Sequence, residues 1–257
     1  MAYETLIVER EEGVAIVTLN RPPANAINHT LVMELGQVLD ELESDAIVGA
    51  IVLTGAGDRI FCGGADLGEG FSGGALEKHI KQGQDLTRRM EQFPKPIIAA
   101  LNGHAMGGGC ELALACHLRI MKETARLGQT ESNLGIIPGF GGSQRLPRLI
   151  GRTKATEYLL LGTQIPAAEA LALGVVNRLS KEGETLNDAK ALACRLAKRA
   201  PIANRLILRV VDAGLNTTID DGLAMERKAF VDVVRTEDAL EGIQAFFQKR
   251  EPEFKGR

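Results

Sequence analysis

Short apolar runs alternate with amphipathic helical stretches through most of the 257-residue chain. The runs are typical of buried strands, and the leucine spacing between them is typical of helices that cover a sheet. Such alternation predicts an α/β fold with parallel strands. From residue 153 onward the pattern is almost wholly helical, and one short predicted strand over residues 175–179 interrupts it. We therefore divide the chain into an α/β body over residues 1–195 and a helical region over residues 196–257.

The predicted elements follow from periodicity and from the positions of glycine and proline. The predicted strands cover residues 5–9, 14–19, 47–53, 96–101, 118–121, 125–128 and 175–179. The predicted helices cover residues 30–43, 76–93, 110–115, 155–161, 167–173, 186–198, 202–213, 219–234 and 237–247. Glycine-rich loops are predicted over residues 62–74, 102–109 and 136–142.

The composition argues against two classes of partner. Thirty basic and thirty-three acidic side chains leave a formal charge of −3, so no global electric field attracts nucleic acid or an anionic membrane. The absence of tryptophan, with only two tyrosines and eight phenylalanines, argues against an aromatic surface that stacks on single-stranded nucleic acid. No apolar run reaches the ~18 residues of a membrane-spanning helix. We expect neither nucleic acid nor membrane as a partner.

The cysteines and histidines predict neither a disulfide framework nor a metal centre. Four cysteines stand at positions 62, 110, 116 and 194 without a CxxC pair, and the four histidines show no ligand spacing. The chain also shows no signal-peptide pattern. These features predict reduced thiols and a cytoplasmic enzyme.

The glycine-rich loops do not match the nucleotide-binding motifs. The chain contains no GxxxxGK[ST] motif, and the turn at Gly107 lacks the GxGxxG spacing. This turn leads directly into a predicted helix, whose first backbone N–H groups can hold an anion. A second turn at Gly64 can offer another N–H group, and two such donors on one oxygen form an oxyanion hole. Tight-turn geometry is the simpler interpretation of either cluster.

Two glutamates stand out by their position. Glu111 lies in an apolar context, which indicates either use in chemistry or an interaction with the dipole of its own helix. Glu131 lies just before the third glycine-rich loop, where a solvated or helix-starting acid is the alternative. The sequence pattern alone leaves both interpretations open.

Four motifs resemble those of the crotonase (enoyl-CoA hydratase/isomerase) superfamily, of the enoyl-CoA hydratase type. They cover residues 61–67, 102–112, 128–131 and 135–142. The resemblance implies a spiral of ββα repeats with the acyl-CoA site over residues 1–195. It implies a helical trimerisation region over residues 196–257, with assembly as a homotrimer or a dimer of trimers.

The resemblance also assigns the catalytic residues. Ala65 and Gly108 match the two backbone donors that hold a thioester carbonyl, and Glu111 and Glu131 match the two catalytic acids. Adding water across C2=C3 of a 2-enoyl-CoA, to give a 3-hydroxyacyl-CoA, requires a base for the water and an acid for C2. We expect Glu111 to be the base and Glu131 the proton donor. The implied enzyme is a lyase of fatty acid β-oxidation that needs no metal and no redox cofactor.

The resemblance places further residues at the substrate, and the chain departs from the family pattern near the coenzyme A phosphates. The residues carried over for substrate binding are Ala24, Ala65, Asp66, Leu67, Gly68, Gly108 and Lys249. Of these, Lys249 matches a tail lysine that reaches the coenzyme A of a neighbouring subunit. Hydratases often carry a lysine after the motif over residues 61–67, where this chain has residues 68–70, and the turn at residues 21–26 also lacks the usual lysine. Residues 69–79 match the segment that lines the acyl pocket.

Three alternative functions remain open from the sequence. A Δ3,Δ2-enoyl-CoA isomerase and a cyclic dienoyl-CoA hydratase use the same pair of acids. A relative of the superfamily binds AU-rich RNA, but the charge balance and the few aromatic residues argue against that function.

Overall fold

The computed structural model describes residues 3–70 and 76–257. The strands are β1 (Leu6–Glu11), β2 (Val14–Leu19), β3 (Ala50–Gly55), β4 (Ile60–Cys62), β5 (Ile97–Leu101), β6 (His104–Met106), β7 (Leu118–Lys122), β8 (Arg126–Gly128), β9 (Ile165–Pro166) and β10 (Arg178–Ser180). The helices are α1 (His29–Ser44), α2 (Leu67–Gly70), α3 (Leu76–Glu91), α4 (Gly108–Ala115), α5 (Gly142–Ile150), α6 (Arg152–Leu161), α7 (Ala167–Ala172), α8 (Thr185–Ala197), α9 (Pro201–Gly214), α10 (Ile219–Val233) and α11 (Glu237–Gln248). A 3₁₀ turn covers Glu131–Leu134.

The strands form two sheets that the chain builds alternately. The larger sheet has the order β1-β2-β3-β5-β7-β10 and the smaller sheet the order β4-β6-β8-β9. The first unit places β1 and β2 together in the larger sheet before α1, and the units that follow place one strand in the larger sheet, the next strand in the smaller sheet and then a helix. The order β3, β4, α3 and then β5, β6, α4 shows this pattern, which is the predicted α/β spiral of ββα repeats.

The central strands are apolar on both faces because both faces of the larger sheet are covered. All residues of β3 and β5 are buried, as expected for parallel strands inside an α/β fold. On one face Ala189 and Ala193 of α8 pack against Val52 and Ile98. On the other face α1, α3, α4 and the smaller sheet enclose the larger core cluster. The cleft described below lies on this second face.

The long elements of the prediction are confirmed, whereas several short ones were missed. Strands β4 and β6 have three residues each, and β6 lies inside the predicted loop over residues 102–109. They are set by pairing with neighbouring strands, which no local periodicity reveals. Helix α5 also went unpredicted, because it begins with glycine and contains Pro147. Residues 67–70 of the predicted loop over residues 62–74 form α2, and residues 71–74 lie outside the described residues.

Two predicted strands were displaced along the chain. The strand predicted from residue 47 begins at Ala50, and Ile47 is 83% exposed. The strand predicted over residues 175–179 is observed at Arg178–Ser180. Val175 and Val176 are buried in the core but precede the ladder. In both cases apolar residues that precede the strand continue its hydrophobic pattern, although they do not pair with a neighbouring strand.

The C-terminal region is helical, as predicted. Helices α9 and α10 contain no buried residue within the single chain. The division at residue 195 remains a prediction; it falls inside α8, which ends at Ala197. Among the described helices, none is both long and apolar enough to cross a bilayer.

Candidate active site

One cleft of about 440 Å³ brings together most of the residues predicted for the site. It lies between the turn after β4, helix α3, the start of α4 and the segment over residues 136–140. Six of the predicted residues line it: Ala65, Asp66, Leu67, Gly108, Glu111 and Glu131. Their convergence depends on the spiral, because the loops that follow β4, β6 and β8 leave the smaller sheet side by side.

Two backbone N–H groups open into this cleft. Ile27 bridges the turn after β4 by donating to Gly64 O and by accepting from Asp66 N, both at 2.8 Å, so Ala65 N between them stays outside this pairing. Gly108 is the first residue of α4, where an N–H has no acceptor within the helix. The two residues lie close together, since a Cβ added at Gly108 would lie 3.3 Å from Ala65 N. Among the described residues, neither amide donates to another backbone group.

Gly107 connects this pair of amides to Glu131. Its N–H donates to Gly128 O at 2.8 Å, which fastens the start of α4 to the end of β8. Its φ of +50° lies in the left-handed region, and a Cβ there would lie 3.3 Å from Glu131 Oε1. Glycine is therefore required both by the turn and by the approach of the carboxylate.

Glu111 is a buried carboxylate held by backbone amides. It lies in the first turn of α4 and is 2% exposed. Its Oε1 accepts from the amides of Phe140 and Gly142, each at 2.7 Å. Since Gly142 begins α5, the carboxylate lies at the positive end of that helix. Burial raises the pKa of Glu111, and the two amide donors oppose this shift by stabilising the anion.

Glu131 lies in a different environment. It begins the 3₁₀ turn and is buried, and within the described part of the chain its Oε2 has no hydrogen-bond partner. Burial raises the pKa of Glu131 to about 7, and the nearby charge of Glu111 adds to the shift. Near neutral pH this carboxyl therefore populates its protonated form, unlike an ordinary exposed glutamate.

The site thus offers three chemical functions. Two converging amides can stabilise negative charge on a carbonyl oxygen. Glu111 has the surroundings of a base, since hydrogen bonds favour its ionised form. Glu131 has the surroundings of an acid, since its free oxygen can carry a proton toward a ligand. Among the described residues, no group of three or more His, Cys, Asp or Glu side chains is placed to hold a metal ion.

The remaining predicted residues lie around the cleft or away from it. The carbonyl of Ala24 accepts from Gly63 N at 2.8 Å, which places Ala24 behind the turn. Gly68 follows in α2, and its N–H donates to Asp66 Oδ1 at 2.9 Å. Asp66 also forms an ion pair of 2.6 Å with Arg21. Lys249 ends α11 with a φ of +55° and is not among the residues that line the cleft of this single chain.

Sequence reasoning named only part of the wall of the cleft, the segment over residues 69–79, and did not name Ile80 or Phe140. Leu76, His79 and Ile80 of α3 line it together with Phe140, whose ring lies 5.9 Å from that of His79 in an edge-on arrangement. A Cβ at Gly108 would lie 3.6 Å from the Phe140 ring, so this ring borders the amide pair. Phe140 lies in the fourth motif, where an apolar side chain among glycines was the available signal. The expected acyl segment over residues 69–79 contributes Leu76 and His79, while residues 71–75 lie outside the described residues.

Comparisons with known proteins show which family this chain resembles over nearly its full length. The enoyl-CoA hydratase/isomerase family profile matches residues 9–257. A short-chain-enoyl-CoA hydratase of Clostridium acetobutylicum is 42% identical over 261 residues, with all of both chains covered. A probable enoyl-CoA hydratase of Bacillus subtilis is 46% identical over 250 residues, with 96% of each chain covered.

The solved structures show the same fold. The crystal structure of an enoyl-CoA hydratase from Bacillus anthracis superposes with a TM-score of 0.96 at 40% sequence identity. It covers 99% of this chain and 100% of that one. The profile match and the full-length identities establish that the chain belongs to the enoyl-CoA hydratase/isomerase family of the crotonase superfamily.

Proposed function

We propose that the protein is an enoyl-CoA hydratase that adds water across C2=C3 of a 2-enoyl-CoA to give a 3-hydroxyacyl-CoA. The observation that carries this proposal is the pair of buried glutamates with unlike surroundings beside two converging amides. Relatives named enoyl-CoA hydratase at 42–46% identity over nearly the full chain support the same reaction.

The proposed mechanism uses only groups of this cleft. The amides of Ala65 and Gly108 hold the thioester oxygen and draw electron density from the double bond. Glu111 takes a proton from water as the water oxygen attacks C3, and the electron pair moves through C2 to the thioester oxygen. Glu131 then gives a proton to C2 as the carbonyl re-forms. Each amide is worth about 3 to 4 kcal/mol to the enolate-like state.

The proposed reaction transfers protons and no net electrons, so it requires no redox cofactor. We propose that it also proceeds without a metal, because the two amides take the role of a Lewis acid at the carbonyl oxygen. Dialysis against a chelator would test this part of the proposal. An activity that falls on chelation and returns with added divalent metal would contradict it.

The apolar lining of the cleft supports an acyl substrate, and the name of one relative supports a short chain. The space of about 440 Å³ is bounded by apolar side chains of α3 and by Phe140. The Clostridium acetobutylicum relative is named for short-chain substrates. We propose crotonyl-CoA or a similar short 2-enoyl-CoA as the substrate.

The C-terminal helices support self-assembly, and we propose a homotrimer or a dimer of trimers. Helices α9 and α10 bury no residue within one chain, although they carry many apolar side chains. Assembly would also allow Lys249 to reach the coenzyme A of a neighbouring subunit. The cytoplasmic location expected from the sequence belongs to the same proposal, and cell fractionation would test it.

The decisive experiment is incubation with crotonyl-CoA. Hydration removes the conjugated enoyl thioester, so we expect its ultraviolet absorbance to fall and the product mass to increase by one water. A parallel incubation with a 3-enoyl-CoA distinguishes isomerisation. Shift of that double bond without hydration of any linear 2-enoyl-CoA would contradict the proposed function.

A further inference from the structure

The catalytic base Glu111 depends on a backbone segment that is itself anchored from outside the cleft. Both amides that hold Glu111 belong to residues 140–142. Between them lies the carbonyl of Phe140, which accepts from Arg145 Nη1 at 2.9 Å and from Thr87 Oγ1 at 2.8 Å. These two side chains therefore fix the peptide group that separates the two donors to Glu111.

Arg145 can reach this carbonyl because residue 141 is a glycine. It lies near the N-terminal end of α5, where the helix dipole disfavours a cation. The guanidinium folds back over Gly141, where a Cβ would lie 2.2 Å from Nη1 and where φ is +110°. Glycine at 141 thus leaves the space that Arg145 occupies.

A carboxylate outside the cleft compensates the charge of Arg145. Glu91, at the end of α3, pairs with Arg145 Nη2 at 3.2 Å, and the Arg145 side chain is only 11% exposed. Glu91 also pairs with Arg88 at 2.8 Å, and Arg88 pairs with Asp212 of α9 at 2.9 Å. A chain of ion pairs thus runs from the C-terminal helices to the segment that holds Glu111.

We infer that Arg145, held by Glu91, is a positioning residue for Glu111 in the proposed hydration and that it acts through the Phe140 carbonyl. The inference rests on the proposed function. Among the described residues, Arg145 forms no hydrogen bond with Glu111 or Glu131. It instead fixes the backbone amides that orient Glu111. Its positive charge also lowers the pKa of Glu111.

A purely structural role for Arg145 makes a different prediction, and the pH profile separates the two. Among the described residues, the charged and titratable groups around Glu111 include Glu131, His79 and Asp66 of the same cleft, Cys110 on α4 and Arg145 on α5, with Glu91 behind it. Removing the cation raises the pKa of Glu111. Since the base must be ionised, the acid limb of kcat/KM then moves to higher pH. A loss of folded protein alone scales the rate and leaves this limb in place.

The test compares Arg145→Gln, Arg145→Lys and Arg148→Gln with the wild-type protein in crotonyl-CoA hydration. For Arg145→Gln we expect kcat to fall about 10- to 100-fold, KM to stay within about threefold, and the acid limb to move to higher pH. Arg145→Lys retains the charge and should keep the limb in place while recovering part of kcat. Arg148 is exposed one turn further along α5, so Arg148→Gln should match the wild type.

Thr87→Val and Glu91→Gln keep the inference testable if Arg145→Gln does not fold. Thr87→Val removes the other donor to Phe140 and no charge, so we expect a smaller fall in kcat with no shift of the acid limb. Glu91→Gln frees the guanidinium and should also lower kcat at unchanged KM. Wild-type turnover in Thr87→Val and Glu91→Gln, or in a folded Arg145→Gln, would overturn the inference. A wild-type protein inactive on every enoyl-CoA would instead overturn the proposed function.

Discussion

At the scale of single residues, Glu111 and Glu131 show how one fold makes two carboxyl groups behave differently. Both are buried, and burial raises the pKa of each. Glu111 accepts two amide hydrogen bonds, whereas Glu131 Oε2 has no partner among the described residues. This difference in hydrogen bonding, more than the depth of burial, is the basis of the proposed roles of base and acid.

Removing either carboxylate should abolish most of the turnover. We expect Glu111→Gln and Glu131→Gln each to lower kcat for crotonyl-CoA hydration by about 100-fold or more. Binding of acyl-CoA should persist, since the substitutions are isosteric and the amides remain. Steady-state kinetics with a binding titration measures both quantities. Near-normal turnover in either variant contradicts the two-acid mechanism.

The pH profile of hydration should reflect the raised pKa of Glu131. In the proposed mechanism protonated Glu131 donates to C2, and its pKa is about 7, so the donor is lost as pH rises through about 7. The acid limb belongs to Glu111, whose raised pKa removes the base as pH falls. Measuring kcat/KM from about pH 5 to about pH 9 should give a bell. The alkaline limb should disappear from the residual activity of Glu131→Gln; its persistence there would assign it to another group.

The sequence revealed these two glutamates but not the residues that support them. Glu111 stood out by its apolar neighbours, and the resemblance supplied a partner twenty residues on. Phe140 was marked only as an apolar side chain among the glycines of the fourth motif, and Arg145 gave no signal, because the contributions of both come from contacts with α3. An arginine one turn into a helix is unremarkable in sequence until its guanidinium is seen against Phe140 O.

At the scale of elements, α3 is the clearest case of prediction and observation agreeing. Its apolar spacing predicted a helix over residues 76–93, and it is observed at Leu76–Glu91. What the pattern did not reveal is that Gly83 and Thr87 on its buried face contact Phe140. Helix periodicity identifies the buried face but not the partner that lies against it.

Gly83 provides a test of this contact. A Cβ at Gly83 would lie 2.2 Å from Phe140 Cε1, so Gly83→Ala should push the ring toward the amide pair. We expect a loss of about 1–3 kcal/mol of stability from overpacking, together with a raised KM for crotonyl-CoA. Thermal unfolding and steady-state kinetics measure the two effects.

Gly36→Ala in α1 is the matched control. A Cβ there meets nothing within 4 Å, so alanine should stabilise the helix by up to ~1 kcal/mol and leave KM unchanged. Equal behaviour of the two variants would mean that the Phe140 ring gives way without cost.

At the scale of the whole molecule, the C-terminal helices expose apolar side chains that support the proposed self-assembly. Phe230 is 66% exposed and Leu215 is 77% exposed, and apolar patches of such extent mark interfaces. The exposed apolar side chains of α9 and α10 and their flanks include Ile207, Val211, Leu215, Leu223, Phe230 and Val234.

Assembly through this surface should be measurable. We expect sedimentation of the wild-type protein at three or six times the mass of one chain, and dissociation on Phe230→Glu, which places a charge in the buried interface. Lys154→Glu, at an exposed position of α6, should leave the mass unchanged. A wild-type protein that sediments as a single chain at micromolar concentration would show that this surface is not a self-association interface.

The alternating path of the chain between its two sheets has a consequence for how the protein forms during synthesis. Along the larger sheet the strands stand in chain order, β1-β2-β3-β5-β7-β10, and the smaller sheet follows the same rule. Each new strand therefore joins at a growing edge, and no late strand has to insert between earlier ones. Once residue 180 has left the ribosome, every strand of both sheets is available, while α8 to α11 are still to come. The cleft can thus take shape on the nascent chain before the C-terminal helices are complete.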